Sequence, residues 1–412
     1  MAQNGPKQNL KPRAAKSAST LAGLWAHHHG EWRDTAQIAS QWNDAAELDP
    51  KLLRYEVQGQ WWATLANLGI TLVVSREYEH LLMAMTVQNG DPHLSFMKLP
   101  HPSGLAVDAD KGHLYVASTR NPNQVFELAA VHGHLDRLDM PYEGPEDNPL
   151  VPVCSHYYPG CYYMHDLAFI GGALFANSVG QNAVVRLAEN GRGERVWWPK
   201  CIETDDGPVF GQNHIQLNSI AAGAHIEHSF FSASADKISA RRPGHRNFPV
   251  DKRGVIFSGQ TREPIVHGLT RPHSARLHQD KLWVDNSGYG ELCLVENGQL
   301  TIVARLPGWT RGLGFWGDIA FVGTSRVIPR FRQYAPGLEV ENSLCGLHAV
   351  NIQSGDILGS IIWPYGNQIF AVEPLGHQIT SGFPFPVGAK RATRREKLLF
   401  YSYTLDQKGN EA

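Results

Sequence analysis

Six polar side chains stand at one recurring place in the chain, each ahead of a short apolar run. They are Ser103 (before Gly104-Leu105-Ala106-Val107), His165 (Asp166-Leu167-Ala168-Phe169), Asn218 (Ser219-Ile220-Ala221-Ala222), His273 (Ser274-Ala275-Arg276-Leu277), Arg311 (Gly312-Leu313-Gly314-Phe315) and Gln368 (Ile369-Phe370-Ala371-Val372). Neutral imidazole is the commonest side-chain ligand of zinc, copper and iron, and amide oxygens with water can complete an open shell. If the six positions converge, His165, His273 and Asn218 are expected to hold a divalent ion (Zn, Fe or Ca). His101 and His214, two and four residues ahead of their columns, would complete the shell. Arg311 would then stabilise developing negative charge as the catalytic group, with Ser103 and Gln368 touching substrate. Polar residues in a narrow channel also bind ordered water with no activity at all, which is the competing reading.

A second constellation is cationic. The stretch DKISARRPGHRNFPVDKR (236–253) is rich in Arg and Lys, and Arg326, Arg330 and Arg332 form another group in SRVIPRFRQY. On opposite sides of one mouth they would make an anion site, with Arg330 and Arg332 contacting a carboxylate or phosphate, because guanidinium binds both in bidentate fashion. The bland alternative is surface charge offset by nearby Asp. Asn286-Ser287-Gly288-Tyr289-Gly290 has the glycines of a tight turn and reads as structural. No nucleophile elbow, phosphate loop, dinucleotide fingerprint or HExxH occurs.

The elements that must position these residues are short strands joined by tight turns. Most of the six apolar runs are followed by a polar or glycine turn and a second strand, such as His113-Leu114-Tyr115-Val116-Ala117, Ala173-Leu174-Phe175-Ala176-Asn177 and Leu282-Trp283-Val284-Asp285. The copies start 38 to 62 residues apart, near the ~40–50 residues of a four-stranded propeller blade plus loops. The sixth copy lacks later strands, while residues 69–98 read as three strands, ITLVVS, HLLMAMTV and HLSFMKL, with no first-strand motif before them. The expected fold is therefore an all-β, six-bladed β-propeller, closed by pairing these N-terminal strands with the strand at 368–374 so that no long edge is left open. Seven blades, with 229–268 divided differently, is the alternative. In a propeller the innermost strands line the central channel, which is why the column matters.

The 412 residues then form one propeller at 57–385, with an N-terminal extension at 1–56 and a basic tail at 386–412. Residues 1–20 are polar without periodicity, which predicts disorder. Trp25, Trp32 and Trp42 sit among helix formers, and Ala63 to Leu68 reads as a short helical turn. His27-His28-His29 cannot all face one ion on regular structure, and KRATRREK (390–397) reads as a solvated charge run. A net charge of −2 calls for neither nucleic acid nor an anionic membrane as partner. No apolar run approaches a membrane span or signal-peptide core, which predicts a cytoplasmic protein; oligomeric state is left open. The five cysteines are odd in number and scattered, which suits reduced thiols; Cys154 and Cys161, with six residues between them, lack the second pair of a zinc knuckle.

Several stretches carry a resemblance: HPSGLAVD (101–108), ASTRNPNQVFEL (117–128), MHDLAF (164–169), NHIQLNSIAAG (213–223), RPHSARLHQDKLWVDNSGYGEL (271–292), GWTRGLGFWGDIAFVGTSR (308–326) and CGLHAVNIQSGDILG (345–359). Through them the chain resembles a family of uncharacterised bacterial propeller-like proteins, which implies the fold and no assigned activity. Through GLAVD followed by LYVA it is similar, more distantly, to six-bladed propellers of the gluconolactonase-like and NHL-repeat type and the peptide-amidating lyase. Those propellers hold a divalent ion on the ring axis, but their acidic ligands have no counterpart here residue by residue.

Two function classes follow. One is a metal-dependent enzyme acting on a small polar or anionic substrate at the axis. The other is a non-catalytic propeller whose mouth binds a small molecule or peptide, or a protein partner, using aromatics such as Trp197, Trp198, Trp309 and Trp316.

Overall fold

The computed structural model describes residue 23 and residues 48–120, 123–134, 148–245, 247–388 and 403–405, the Arg330 side chain excepted. His27 to His29, Trp25, Trp32, Trp42 and the 390–397 run lie outside the described residues.

Six antiparallel sheets form the body. Their innermost strands are Pro102–Asp108, Met164–Ile170, Leu217–Ala221, Pro272–His278, Trp309–Trp316 and Ala371–Gly376, and we number blades 1 to 6 in that order. Each inner strand contacts the next, and the sixth contacts the first, so the ring closes. The expected six-bladed propeller is the fold, and residues 230–269 complete blade 3 rather than opening a seventh blade.

Closure follows the predicted route. Ile70–Arg76 pairs with Ala371–Gly376 from Ile70↔Gly376 to Ser75↔Ala371, and Leu81–Gln88 and Asp91–Lys98 complete blade 6. Two short strands at the limits of the expected 57–385 range widen the ring: Glu56–Gly59 adds to blade 5, and Phe385–Pro386 adds to blade 6. Tyr403–Thr404, in the segment expected to be a solvated tail, instead pairs with Gly133–His134.

The inner strands are packed on both faces, and Ile70–Arg76 is buried at every position, whereas outer strands such as Gln299–Arg305 are largely exposed. Apolar side chains fill the six gaps. Met83, Leu72 and Val74 of blade 6 meet Phe321, Leu347 and Ile361 of blade 5, and the helix Trp61–Leu68 seals that gap with Trp61 and Leu65. The helix ends at Gly69, whose left-handed φ of 61° turns the chain into the closing strand.

Polar side chains staple each blade to the next across every gap. Ser103 Oγ donates to Met164 O (2.9 Å), Asn177 Nδ2 to Leu217 O (2.6 Å) and Asn218 Nδ2 to Pro272 O (2.8 Å). Ser287 Oγ donates to Thr310 O (2.6 Å), Ser325 Oγ to Ile369 O (3.1 Å) and Ser75 Oγ to Ser103 O (2.5 Å). Every acceptor lies at or beside the start of an inner strand, where the pleated ladder cannot supply a donor. The staples therefore satisfy carbonyls that would otherwise be buried unpaired.

Candidate functional site

The aligned column does converge. In blades 1 to 5 the inner strand has a register shift at or beside the column, between Pro102 and Leu105, Met164 and Leu167, Leu217 and Ser219, His273 and Arg276, and Thr310 and Leu313. A bulge bends a strand and re-aims a side chain, and here it turns the column toward the axis. Where the bulge residue is Gly312, with φ 88°, a Cβ would stand 2.9 Å from Val372 Cγ2, so the approach of blade 5 to blade 6 requires glycine. At the narrowest part His165, Asn218, His273, Arg311 and Phe370 meet around a space of only about 10 Å³. Beyond this plug Arg276 forms a two-point ion pair with Asp166, 2.7 and 3.0 Å.

On the other side of the plug the channel opens into a cavity of about 650 Å³. His165, His273, Arg311 and Gln368 form its floor together with Arg271, Glu77, Tyr163 and Gln216, and Trp309 stands beside them. Two insertions build the lip: Arg242, Pro243 and Gly244 come from blade 3, and Phe331, Arg332 and Tyr334 come from blade 5. Phe248, Val250, Trp309, Val327 and Tyr334 join the insertions in one apolar cluster. The two basic stretches thus do face one mouth, through Arg242 and Arg332. Arg332 Nη2 also bonds Glu341 Oε1. Arg330 falls in the turn Pro329–Tyr334, and its side chain lies outside the described part.

A second ring of residues, two positions ahead of the column, was not anticipated as a group. His101, Tyr163, Gln216 and Arg271 all have φ between 47° and 54°. Left-handed backbone costs a non-glycine residue roughly 1–2 kcal/mol. Four such residues at equivalent places mark a site where geometry has been kept at the expense of stability. Tyr163, Gln216 and Arg271 face the cavity.

Charge at the floor is positive. Burial pushes the guanidinium of Arg271 down to about 10, and does the same to Arg311, so both stay protonated near neutral pH. Arg271 Nη1 donates to Gln216 Oε1 (2.5 Å) and its plane lies over the Tyr334 ring, 4.5 Å from the centroid. Arg311 lies 3.3 Å over the Phe370 ring and donates through Nη2 to His165 Nδ1 at 3.4 Å. With the Gln368 amide oriented to satisfy its neighbours, its oxygen accepts from Arg311 Nη1 (3.1 Å) and its nitrogen donates to Glu77 Oε2 (3.0 Å). Glu77 also accepts from Thr119 Oγ1 and lies 3.6 Å from Arg120.

Both imidazoles are neutral. Burial, then Arg311, Arg271 and Arg120, hold His165 well below its ordinary value, and the Asn218 amide pulls weakly the other way. Burial and the same Arg311 and Arg271 depress His273. His273 Nδ1 lies 2.8 Å from Arg271 O, a group that can only accept, so Nδ1 carries the proton and Nε2 is bare. His165 has the opposite tautomer, because its Nδ1 accepts from Arg311.

The expected site residues are placed unevenly about this cavity. Ser103 is fully buried and spends its hydroxyl as a staple, so it does not line the mouth. His101 packs against His80, ring centroids 4.4 Å apart, and is absent from the cavity wall, as is His214. Asn218 Nδ2 is committed to Pro272 O and to Ser234 Oγ. His165, His273 and Asn218 lie around one small space on the axis, and the two imidazoles sit among guanidiniums that repel a cation. Among the described residues, the His, Cys, Asp and Glu side chains that come close enough to hold an ion are Glu127, Cys154 and His156, in blade 1. Trp309 lines the cavity but is buried, and Trp197 is buried too and donates to Gly259 O. The Asn286–Gly290 turn is structural, and it brings Ser287 Oγ to 3.0 Å from His273 Nδ1.

Residues 59–381 match the family model described as Domain of unknown function (DUF4915). No curated protein matches the sequence. Among solved structures, a chain of a nidogen/laminin complex is similar at 7% identity, over 74% of this chain and 98% of that one, with a TM-score of 0.48. A protein of unknown function from Bacteroides caccae is similar at 8% identity, over 74% and 99%, with a TM-score of 0.45. A "putative 6-phosphogluconolactonase" from Bacteroides uniformis ATCC 8492 is similar at 13% identity, over 74% and 99%, with a TM-score of 0.44. The likenesses concern fold outline; the blade count comes from this chain's own six sheets. No helix among the described residues is long and apolar enough to cross a membrane.

Proposed function

The chain belongs to the DUF4915 family, a domain of unknown function, and we propose that its mouth binds a small anionic molecule, a carboxylate or phosphate ester, and acts on it by proton transfer. The observation that carries this reading is the pair of buried guanidiniums, Arg271 and Arg311, on the floor of a cavity of about 650 Å³. That volume lies within the range of small-molecule sites, roughly 300–1,000 Å³. Burying two like charges near each other is costly in the empty protein, and an anion relieves the cost while accepting charge-assisted hydrogen bonds. Arg271 Nε is a buried donor with no hydrogen-bond partner among the described residues, which adds to the cost of burying this guanidinium. His273, with Nε2 bare, lines the cavity and would take a proton from the bound molecule, and Arg311 would stabilise the negative charge that results. A divalent ion at the same place would face the same two cations, so the geometry favours an anion over a metal there.

The test is calorimetric titration of dicarboxylates and phosphate esters alongside their neutral amide or alcohol analogues. Arg311→Lys keeps the charge but loses the fork, and should weaken the charged ligands by about tenfold or more, the equivalent of about 1.5–3 kcal/mol per charge-assisted bond. Equal affinity for charged and neutral members of a pair would overturn the assignment.

A further inference from the structure

We propose that Glu127, Cys154 and His156 form a zinc site on the flank of blade 1, separate from the mouth. Glu127 lies in the third strand of the blade (Gln124–Ala130) and Cys154 in the fourth (Leu150–Tyr157), and the two are direct partners across the ladder. His156, two residues on from Cys154, projects from the same face. Three donors of different chemistry are thus presented side by side by two adjacent strands.

Two of the three donor separations match those around a bound ion, and the third is within a small side-chain adjustment of it. Cys154 Sγ lies 3.3 Å from His156 Nε2, Glu127 Oε2 lies 3.6 Å from the same nitrogen, and all three ligand atoms fall within 4.8 Å of one another. Zn–S of ~2.3 Å and Zn–N and Zn–O of ~2.0–2.1 Å at tetrahedral angles require donor separations of about 3.3–3.6 Å.

Groups behind the ligands orient them as in a built site. His156 Nδ1 is 2.9 Å from Glu189 O, a carbonyl that can only accept, so the proton is on Nδ1 and Nε2 offers its lone pair. Glu127 Oε1 accepts from Tyr115 Oη (2.9 Å) and lies 2.7 Å from His113 Nδ1, leaving Oε2 for the ion. Such outer partners fix ring orientation and raise ligand basicity. The arrangement also distinguishes metal binding from nucleophilic catalysis. In a Cys–His–carboxylate triad the carboxylate bonds the imidazole nitrogen remote from the thiol. Here carboxylate and thiol face the same nitrogen, and a carbonyl occupies the remote one. Three protein ligands leave a fourth position, and because Cys154 is exposed, solvent reaches it.

The experiment uses the full chain stripped with chelator and titrated with Co²⁺ as a spectroscopic stand-in for zinc. We expect one equivalent per chain, with thiolate-to-cobalt charge-transfer absorption and tetrahedral ligand-field bands, and displacement by Zn²⁺. Cys154→Ala should abolish the charge-transfer band. His156→Ala and Glu127→Gln should each lower affinity at least tenfold, and Tyr115→Phe by about tenfold through the outer partner. Cys161→Ala should leave the spectrum unchanged, and so should Arg311→Lys, which separates this site from the mouth. Absence of a thiolate band at one equivalent, or a band that survives Cys154→Ala, would overturn the proposal. Alkylation of Cys154 at the same rate with and without Co²⁺ would do so as well.

Discussion

Arg271→Gly separates the residues that keep this ring together from those that keep its mouth in readiness. The native residue holds φ at 54° while buried, and its Nη1 bonds Gln216 Oε1. Glycine adopts that backbone freely, so the substitution returns roughly 1–2 kcal/mol of strain. It also removes one of two neighbouring buried cations. Against this stand the charge-assisted bond to Gln216, about 1.5–3 kcal/mol, and the greater freedom of glycine in the unfolded chain, about 0.4–1 kcal/mol. The terms nearly cancel, and the net loss should be about 0–2 kcal/mol. At ~2.1 cal/mol/K per residue over roughly 320 residues, unfolding entropy is about 0.7 kcal/mol/K, so the melting temperature should move by less than about 3 °C. Anion affinity should fall about 10- to 150-fold, because the lost fork takes one charge-assisted contact with it. Circular dichroism melts and calorimetric titration of one dicarboxylate read the two quantities on the same sample. Arg271→Lys, which keeps the strain and the charge but not the fork, should lose affinity with no gain in stability. A melting temperature lowered by more than about 6 °C in Arg271→Gly would show that the residue serves the fold. Unchanged anion affinity would show that it serves nothing in the mouth.

Ser75→Ala should do the reverse: its hydroxyl donates to Ser103 O and accepts from Ala371 N at 3.0 Å in fully buried surroundings, so two backbone groups are left unpaired. At about 1–3 kcal/mol each the melting temperature should drop by about 3–9 °C with anion affinity preserved; a drop no larger than that of Arg271→Gly would refute the staple. The depressed histidines predict a pH profile. Because His165 and His273 stay neutral in the folded protein, affinity for a fully ionised anion such as sulfate should change less than about twofold between pH 8 and pH 6, and a rise toward pH 6 would mean that one of them titrates normally. The sign for stability is fixed by the same shift: the unfolded rings take up protons below their ordinary 6.5 while the folded ones do not, so stability should decline as pH falls through that value.

What could be read from the chain, and what could not, divides along the same physical line. Each blade repeats its inner strand locally, so the column His165, His273, Arg311 and Gln368, the blade count and the closure through residues 70–76 were all legible as pattern. Ser103 stood in that column and was misread, because residue type does not tell whether a hydroxyl faces the axis or the neighbouring blade; Met164 O, 2.9 Å away, decides it. The ring of Tyr163, Gln216 and Arg271 escaped because left-handed backbone announces itself through glycine or asparagine, and here the positions are filled by bulky side chains held against their preference. The flank site escaped for a different reason. Cys154 and His156 share a strand face by simple alternation, but Glu127 joins them only through ladder register across the 133–149 insertion, and register is a property of the folded sheet. Sequence periodicity therefore locates a propeller's axis, whereas its chemistry lies in departures from periodicity. At the axis those departures are bulges and strained residues that bring two guanidiniums close together, the arrangement on which the proposal of an anion site rests.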